Sequence, residues 1–162
     1  MIDIAQQKGF DFYSSAQDCV CRYLNMPVQA APGFDLPAAA FNPLRNQYDA
    51  SALISALVDQ RPASTAYALY LVDVDLYATR MNFIFGLADT LSRAAVVSAF
   101  RFRSQKTEAH LCTEIVHEIG HLLGLPHCRT GSCAMRFSHT VEDTDRKSAS
   151  LCPTCRRKLE AL

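Results

Sequence analysis

The chain has 162 residues, enough for one hydrophobic core and too few for two comfortable domains. Hydrophobic residues make up 49% and charged ones 20%, as in an ordinary soluble globular protein. Sixteen basic residues balance sixteen acidic ones, which argues against a nucleic-acid partner, and the longest apolar run, Ala66 to Val72, is too short to span a bilayer.

In chain order, Ile2 to Ala5 reads as a short strand. Ser14 to Leu24 follows as a helix, with Ser14 or Ser15 as cap and Pro27 as stop. Residues 27–43 hold four prolines and read as strand edge and connection. Asp49 caps a helix through about Val58, in which Leu53, Ile54 and Leu57 recur at helical spacing. Ala66 to Val74 is nearly continuous in apolar residues and suits a strand buried on both faces. Asn82 to Ala88 and Ala94 to Phe102 are two further strands. A helix of roughly Lys106 to Leu123 leads into a loop-rich tail. With no internal repeat and no low-complexity linker, the expectation is one α/β (α+β) domain over 1–162, with a compact mixed sheet and a C-terminal lobe over about 125–162.

The chemistry concentrates in the last third. All five histidines fall between His110 and His139, and four of seven cysteines fall after position 127. The opening MIDIAQQKGFDF has no basic or apolar signal-peptide region, so the chain is expected to be cytoplasmic, with cysteines that serve as thiols or metal ligands.

The decisive segment runs His117-Glu118-Ile119-Gly120-His121-Leu122-Leu123-Gly124-Leu125-Pro126-His127. Histidines four apart share one helix face, so His117 and His121 can fill two corners of a tetrahedral zinc. Glu118 emerges about 100° further round, within reach of a water at the metal without being a ligand. Gly124 suits a left-handed helix end and Pro126 holds Leu125 extended, which together can return His127 to the same metal. A lone His-Glu-x-x-His arises often by chance; the added glycine and third histidine make this the metzincin pattern. Met135 lies eight residues past His127, where metzincins place the methionine of a tight turn, and the resemblance implies that its thioether is an apolar floor beneath the metal. Two positions further on, Phe137 has no oxygen to offer, so no fifth protein ligand is expected.

Cys128, Cys133, Cys152 and Cys155 form two short-spaced pairs, the usual pattern of a closed structural zinc. Because neighbouring side chains in extended backbone point to opposite sides, His127 and Cys128 can feed two separate metals. Cys19, Cys21 and Cys112 have no partner at ligand spacing and read as half-buried small apolar residues. His110 reads as a surface residue or one behind the ligands, and His139 as a flank of the cleft.

The sequence resembles the archaemetzincin family. The metzincin helix runs straight into Cys128, Cys133 and Met135, and the last cysteine pair follows. Arg136 to Ser138, Asp143 to Lys147, Arg45 to Tyr48 and Asp75 to Gly86 are similar to that family as well. The stretch from Met135 to Cys152 is one residue shorter than the family's usual spacing, which bears on loop length and not on ligation. The resemblance implies a compact metzincin-like fold with a three-histidine zinc, a four-cysteine zinc and peptidase activity. The expected function is therefore hydrolysis of peptide bonds by a zinc-activated water, with Glu118 as general base, by a monomer that uses no nucleic acid and no membrane. The substrate is expected to lie extended along the Asn82 to Ala88 edge. Two rival readings are a zinc-bound peptide-binding protein that hydrolyses little and an adaptor acting through Arg156, Arg157 and Lys158.

Overall fold

The computed structural model describes residues 1–103 and 106–161. Its main sheet is built where the sequence is most apolar. Strands β1 (Ile2–Gln6), β2 (Val28–Ala30), β5 (Ala68–Val72), β7 (Gly86–Asp89) and β8 (Ala94–Ser98) lie in the order β2-β1-β5-β8-β7. All neighbours are parallel except β7, which runs antiparallel to β8 with Gly86 opposite Val97. Every residue of β5 and β8 is buried, as the unbroken apolar run leads one to expect of central strands.

Two helical layers cover the two faces, and the period-2 alternation of the strands assigns side chains to each. Ile2, Ile4, Leu69, Leu71, Ala95 and Val97 pack with helices α1 (Tyr13–Leu24) and α3 (Thr107–Leu122). Ala5, Ala68, Tyr70, Val72, Ala94 and Val96 pack on the other side with α2 (Ala50–Val58). A small sheet of β3 (Phe41–Asn42), β4 (Gln47–Asp49) and β6 (Leu76–Tyr77) extends this second face. Ala134, Met135, Ala149 and Leu151 of the tail join the α1–α3 core, so the lobe is continuous with the domain.

Local signals set most boundaries. Asp49 caps α2, its carboxylate accepting from the Ser51 and Ala52 amides at 2.9 and 3.1 Å. Helix α1 differs from expectation: it starts at Tyr13 without a side-chain cap, and Asn25 in the left-handed region ends it before Pro27 acts. The strand expected over Asn82 to Ala88 is ordered differently. Only Gly86 to Asp89 joins the sheet, because the Asn82 carbonyl faces Arg45 and Gln47 and not a strand. The tail also holds more helix than its loop-like composition suggests, in α4 (Val141–Asp145) and α5 (Pro153–Glu160). A capping box between Thr140 and Asp143 starts the first, and Pro153 at the first turn starts the second.

Cys19 and Cys112 depart most from expectation. They form a disulfide between α1 and α3. The reason is tertiary: the two helices pack side by side and bring Cα atoms 93 residues apart to 5.7 Å, a distance that suits a bridge. Cys21, two positions on, faces outward and is exposed.

Asp49→Ala should lower stability by about 0.5–2 kcal/mol, because two amides at the start of α2 lose their acceptor. Urea unfolding with an unchanged slope and a lower midpoint checks this; an unchanged midpoint contradicts it.

Candidate active site

Helix α3 carries the metzincin residues on a buried ridge. His117 and Glu118 are 5% and 6% exposed, and His121 is half-buried. The His117 Nδ1–H donates to the Ala134 carbonyl at 2.7 Å and the His121 Nδ1–H to the Leu125 carbonyl at 2.8 Å. A carbonyl can only accept, so both Nε2 atoms are left as lone-pair donors aimed at a common point. Those two Nε2 atoms lie 3.1 Å apart. Zinc–nitrogen bonds of about 2.0–2.1 Å in a tetrahedron place neighbouring nitrogens about 3.3 Å apart, so the pair is close to ready-made. His127 completes the set, with the donor atoms of all three histidines within 4.8 Å of one another.

The return of His127 follows the expected route. Gly124 takes φ +85°, the Gly124 amide bonds to the His121 carbonyl, and the Leu125 amide bonds back to the Gly120 carbonyl at 2.8 Å. Met135 is fully buried under the site, and a Cβ at Gly120 would collide with its sulfur, which explains glycine within the helix. The Phe137 ring stands edge-on to His127 at 5.0 Å and to His139 at 4.6 Å.

The cleft in front of this ridge has a volume of about 370 Å³. One wall runs from Arg80 to Gly86, the floor holds Glu114, His117 and Glu118, and Phe137 to His139 form the other wall. The first wall is braced from behind. Gln47 donates to Asp75 at 3.0 Å and to the Asn82 carbonyl at 2.9 Å, Arg45 donates to the same carbonyl at 2.9 Å, and Arg101 grips Asp75 with two bonds of 2.7 Å. Arg101 also lies over the Phe83 ring at 3.8 Å. These contacts explain why Arg45 to Tyr48 and Asp75 to Gly86 stood out together in the sequence. At the cleft's inner end, a Cβ on Gly86 would sit 2.7 Å from Glu118 Cγ and 2.9 Å from the Val96 carbonyl. Glycine there makes room for the Glu118 side chain, a role that no motif signals.

Electrostatics separate the ionisable groups. Burial, aided by Lys147, lowers the His117 pKa to about 3, and burial also lowers His121 and His127. The imidazoles are therefore neutral, as ligands must be. Burial and the nearby Glu114 push Glu118 well above the usual carboxylate range, against the pull of Lys147. Sequence reasoning missed the pair behind this effect: Glu114 and Lys147, both buried, joined at 2.8 Å, with Lys147 also donating to the Arg136 carbonyl at 3.0 Å. A lysine in a polar stretch carries no sign of burial until the tail folds onto the helix.

The four C-terminal cysteines also converge, their sulfurs within 4.8 Å of one another and Cys128 and Cys152 3.8 Å apart. Zinc–sulfur bonds of about 2.3 Å in a tetrahedron give the same edge, about 3.8 Å. His110 is buried, contrary to the surface reading. Its Nε2 meets Asp145 at 3.0 Å and its ring packs 5.1 Å from Phe102, away from the three-histidine site. His139 lines the cleft as expected. Arg157 and Lys158 are exposed on α5, while Arg156 donates to the Tyr23 carbonyl at 3.1 Å.

A model of peptidase family M54 matches residues 24–161. The archaemetzincin of Saccharolobus solfataricus is 39% identical over 136 residues, covering 78% of this chain and 73% of that protein. The crystal structure of archaemetzincin from Methanopyrus kandleri aligns with a TM-score of 0.88 at 31% identity, over 99% of this chain and 93% of that one. A zinc-dependent peptidase from Methanocorpusculum labreanum aligns with a TM-score of 0.88 at 27% identity, over 98% of this chain and 100% of that one. Fold and site together define a zinc-dependent metallopeptidase of the metzincin type. The chain belongs to the archaemetzincin family, peptidase family M54.

Replacing Lys147 with Met should destabilise the protein by about 3–5 kcal/mol, because Glu114 stays buried without its partner. Removing both charges, in Glu114→Gln with Lys147→Met, should recover much of that loss. Equal and additive losses in a double-mutant cycle would show that the two side chains do not act as a pair.

Proposed function

We propose that this peptidase holds two zinc ions, a catalytic one on His117, His121 and His127 and a structural one on Cys128, Cys133, Cys152 and Cys155, and that Glu118 is its general base. The observation that carries the reading is the convergence of three neutral imidazoles within 4.8 Å of one another, with His117 and the buried Glu118 on the floor of an open cleft. The donor chemistry fits: three nitrogens leave a tetrahedral position open for catalysis, whereas four sulfurs close the other site. When bound, zinc polarises the scissile carbonyl and lowers the pKa of the attacking water.

The chain's own residues do the rest. The Ala134 and Leu125 carbonyls fix the tautomer and direction of His117 and His121. Glu118 takes a proton from the attacking water and returns it to the leaving amine. Strand β7 is an edge of its sheet, so its outer main-chain groups are free to pair with an extended peptide. Phe137 and His139 oppose the Arg80 to Gly86 wall, at whose end β7 begins, and would confine the peptide between two walls.

The whole of 1–162 acts as one domain in this reading, with 125–162 as its zinc-bound lobe. We further assign it to the cytoplasm, on the strength of four cysteines gathered as free thiols beside the single Cys19–Cys112 bridge among the described residues, and to a monomeric state. The exposed large apolar side chains are Met1, Phe41, Leu44, Leu91 and Phe100, scattered along the sequence, and sedimentation at micromolar concentration tests the monomer. Among the described residues no helix is long and apolar enough to cross a membrane.

Purified under reducing conditions, the parent should carry two zinc ions. Glu118→Gln should keep both and lose peptidase activity by orders of magnitude, since an amide cannot take the proton. Elemental analysis with a peptide-library assay decides. One zinc per folded chain ends the two-site reading, and undiminished cleavage by the variant removes Glu118 as base.

Replacing Cys133 with Ser should empty the cysteine site and also weaken zinc at the histidines, because His127 and Cys128 are neighbours in one segment. A chelator titration should show release from the cysteine site first and a lowered affinity at the other. Unchanged affinity at the histidines, with the cysteine site empty, would make the two metals independent.

A further inference from the structure

On the α2 face of the sheet, away from the three histidines, lies a second cavity of about 340 Å³. Its walls include the apolar side chains of Leu57 and Phe34, the side chains of Asp3, Thr65 and Tyr70, and Arg61, just beyond α2. Tyr70 is only 4% exposed, with its ring edge-on to Phe34 at 5.7 Å. Two polar atoms at this cavity are buried with no hydrogen-bond partner among the described residues: the Tyr70 hydroxyl and Arg61 Nη1. Buried polar groups are normally paired, and a buried donor without an acceptor costs free energy.

Each of the cavity's carboxylates already accepts from a neighbour in the lining. Asp3 accepts from the Thr65 hydroxyl at 2.6 Å, and Asp35 pairs with Lys8 at 2.5 Å. Among the described residues neither carboxylate bonds the Tyr70 hydroxyl or Arg61 Nη1, which leaves both donors open to an acceptor from outside. A carboxylate has two oxygens, one for each donor, and is bound most strongly by a guanidinium. The charged side chains lining the cavity are Lys8 and Arg61 against Asp3 and Asp35, a net of zero, which favours a singly charged ligand over a phosphate dianion. Burial raises the Tyr70 pKa, against the influence of Arg61, so the hydroxyl keeps its proton to donate.

We propose that this cavity binds a small carboxylic acid with an apolar body, the carboxylate bonded by Tyr70 and Arg61 and the body packed against Leu57 and Phe34. Nothing in the peptidase reading requires such a site. It lies on the other side of β5, whose Leu69 and Leu71 face the α3 core while Tyr70 faces the cavity.

Calorimetric titration of the zinc-loaded chain with 3-phenylpropanoate, beside its neutral counterpart 3-phenylpropan-1-ol, tests this directly. The acid should bind at least tenfold more tightly than the alcohol. Tyr70→Phe, which removes one oxygen, and Arg61→Gln should each weaken acid binding at least tenfold, with zinc content and peptidase rate unchanged. A carboxylate can also occupy the catalytic zinc, but that binding would persist in both variants and compete with peptide substrate. Binding of that kind alone overturns the proposal. So does equal binding of acid and alcohol, no binding at all, or a co-crystal with the acid elsewhere. Should Tyr70→Phe fail to fold, judged by its thermal unfolding, Arg61→Gln and the alcohol comparison still decide.

Discussion

Between Gly120 and Met135 the active-site helix and the tail approach so closely that one added methyl group would not fit. Much of the site hangs on that approach. It seats the Met135 sulfur under the metal-binding ridge, and it puts the Ala134 carbonyl where it can fix the His117 ring. The Cys128 amide then bonds to the Met135 carbonyl at 2.9 Å, which closes the loop carrying His127. A ligand on the helix and a ligand beyond it are thus positioned by the same few residues. Such a site tolerates little movement, since ligand geometry sets both affinity and reactivity.

The same docking buries charge. Lys147 reaches Glu114 only because the tail lies across α3, and the Arg136 carbonyl takes a second of its protons. A lone ammonium so near three neutral imidazoles would oppose a divalent cation. Paired with Glu114, it contributes hydrogen bonds with nearly no net charge. Glu118, one turn along, then feels a carboxylate and an ammonium that largely offset each other, and burial dominates its affinity for protons.

The sequence carried most of this site because metal ligation uses few residue types at short, characteristic spacings. His117 and His121 share a face, Gly124 turns the chain, and Cys128 with Cys133 and Cys152 with Cys155 repeat a loop pattern, so local spacing alone located seven donor atoms. The buried central strand around Leu69 was legible for a similar reason, as an unbroken apolar run. What stayed hidden depends on contacts distant in sequence. Gly86 matters because Glu118 occupies the space of its missing side chain, Lys147 because a helix 33 residues earlier holds its partner, and Cys112 because α1 brings Cys19 beside it. The short helices of the tail escaped because their capping signals sit among polar residues with no apolar stripe to frame them.

The seven cysteines illustrate how position in the fold decides chemistry. Cys19 and Cys112 meet across two helix faces, where only a pair can gather, so their natural product is a bridge. Of the five that remain, Cys21 is exposed and apart, while Cys128, Cys133, Cys152 and Cys155 gather where a tetrahedron can close around a cation. Their thiols are not equivalent before it does. The Cys155 amide at the start of α5 lowers the Cys152 pKa to about 6, whereas burial and its neighbours push Cys155 up. At neutral pH the site therefore offers a ready thiolate at Cys152 and holds a proton at Cys155. A zinc bound by all four, as proposed above, would have to displace that proton, so its affinity would rise with pH. The Cys152 sulfur lies 3.8 Å from that of Cys128, and Cys128 is the chain neighbour of His127, so the four-cysteine cluster and the three-histidine cluster share one segment.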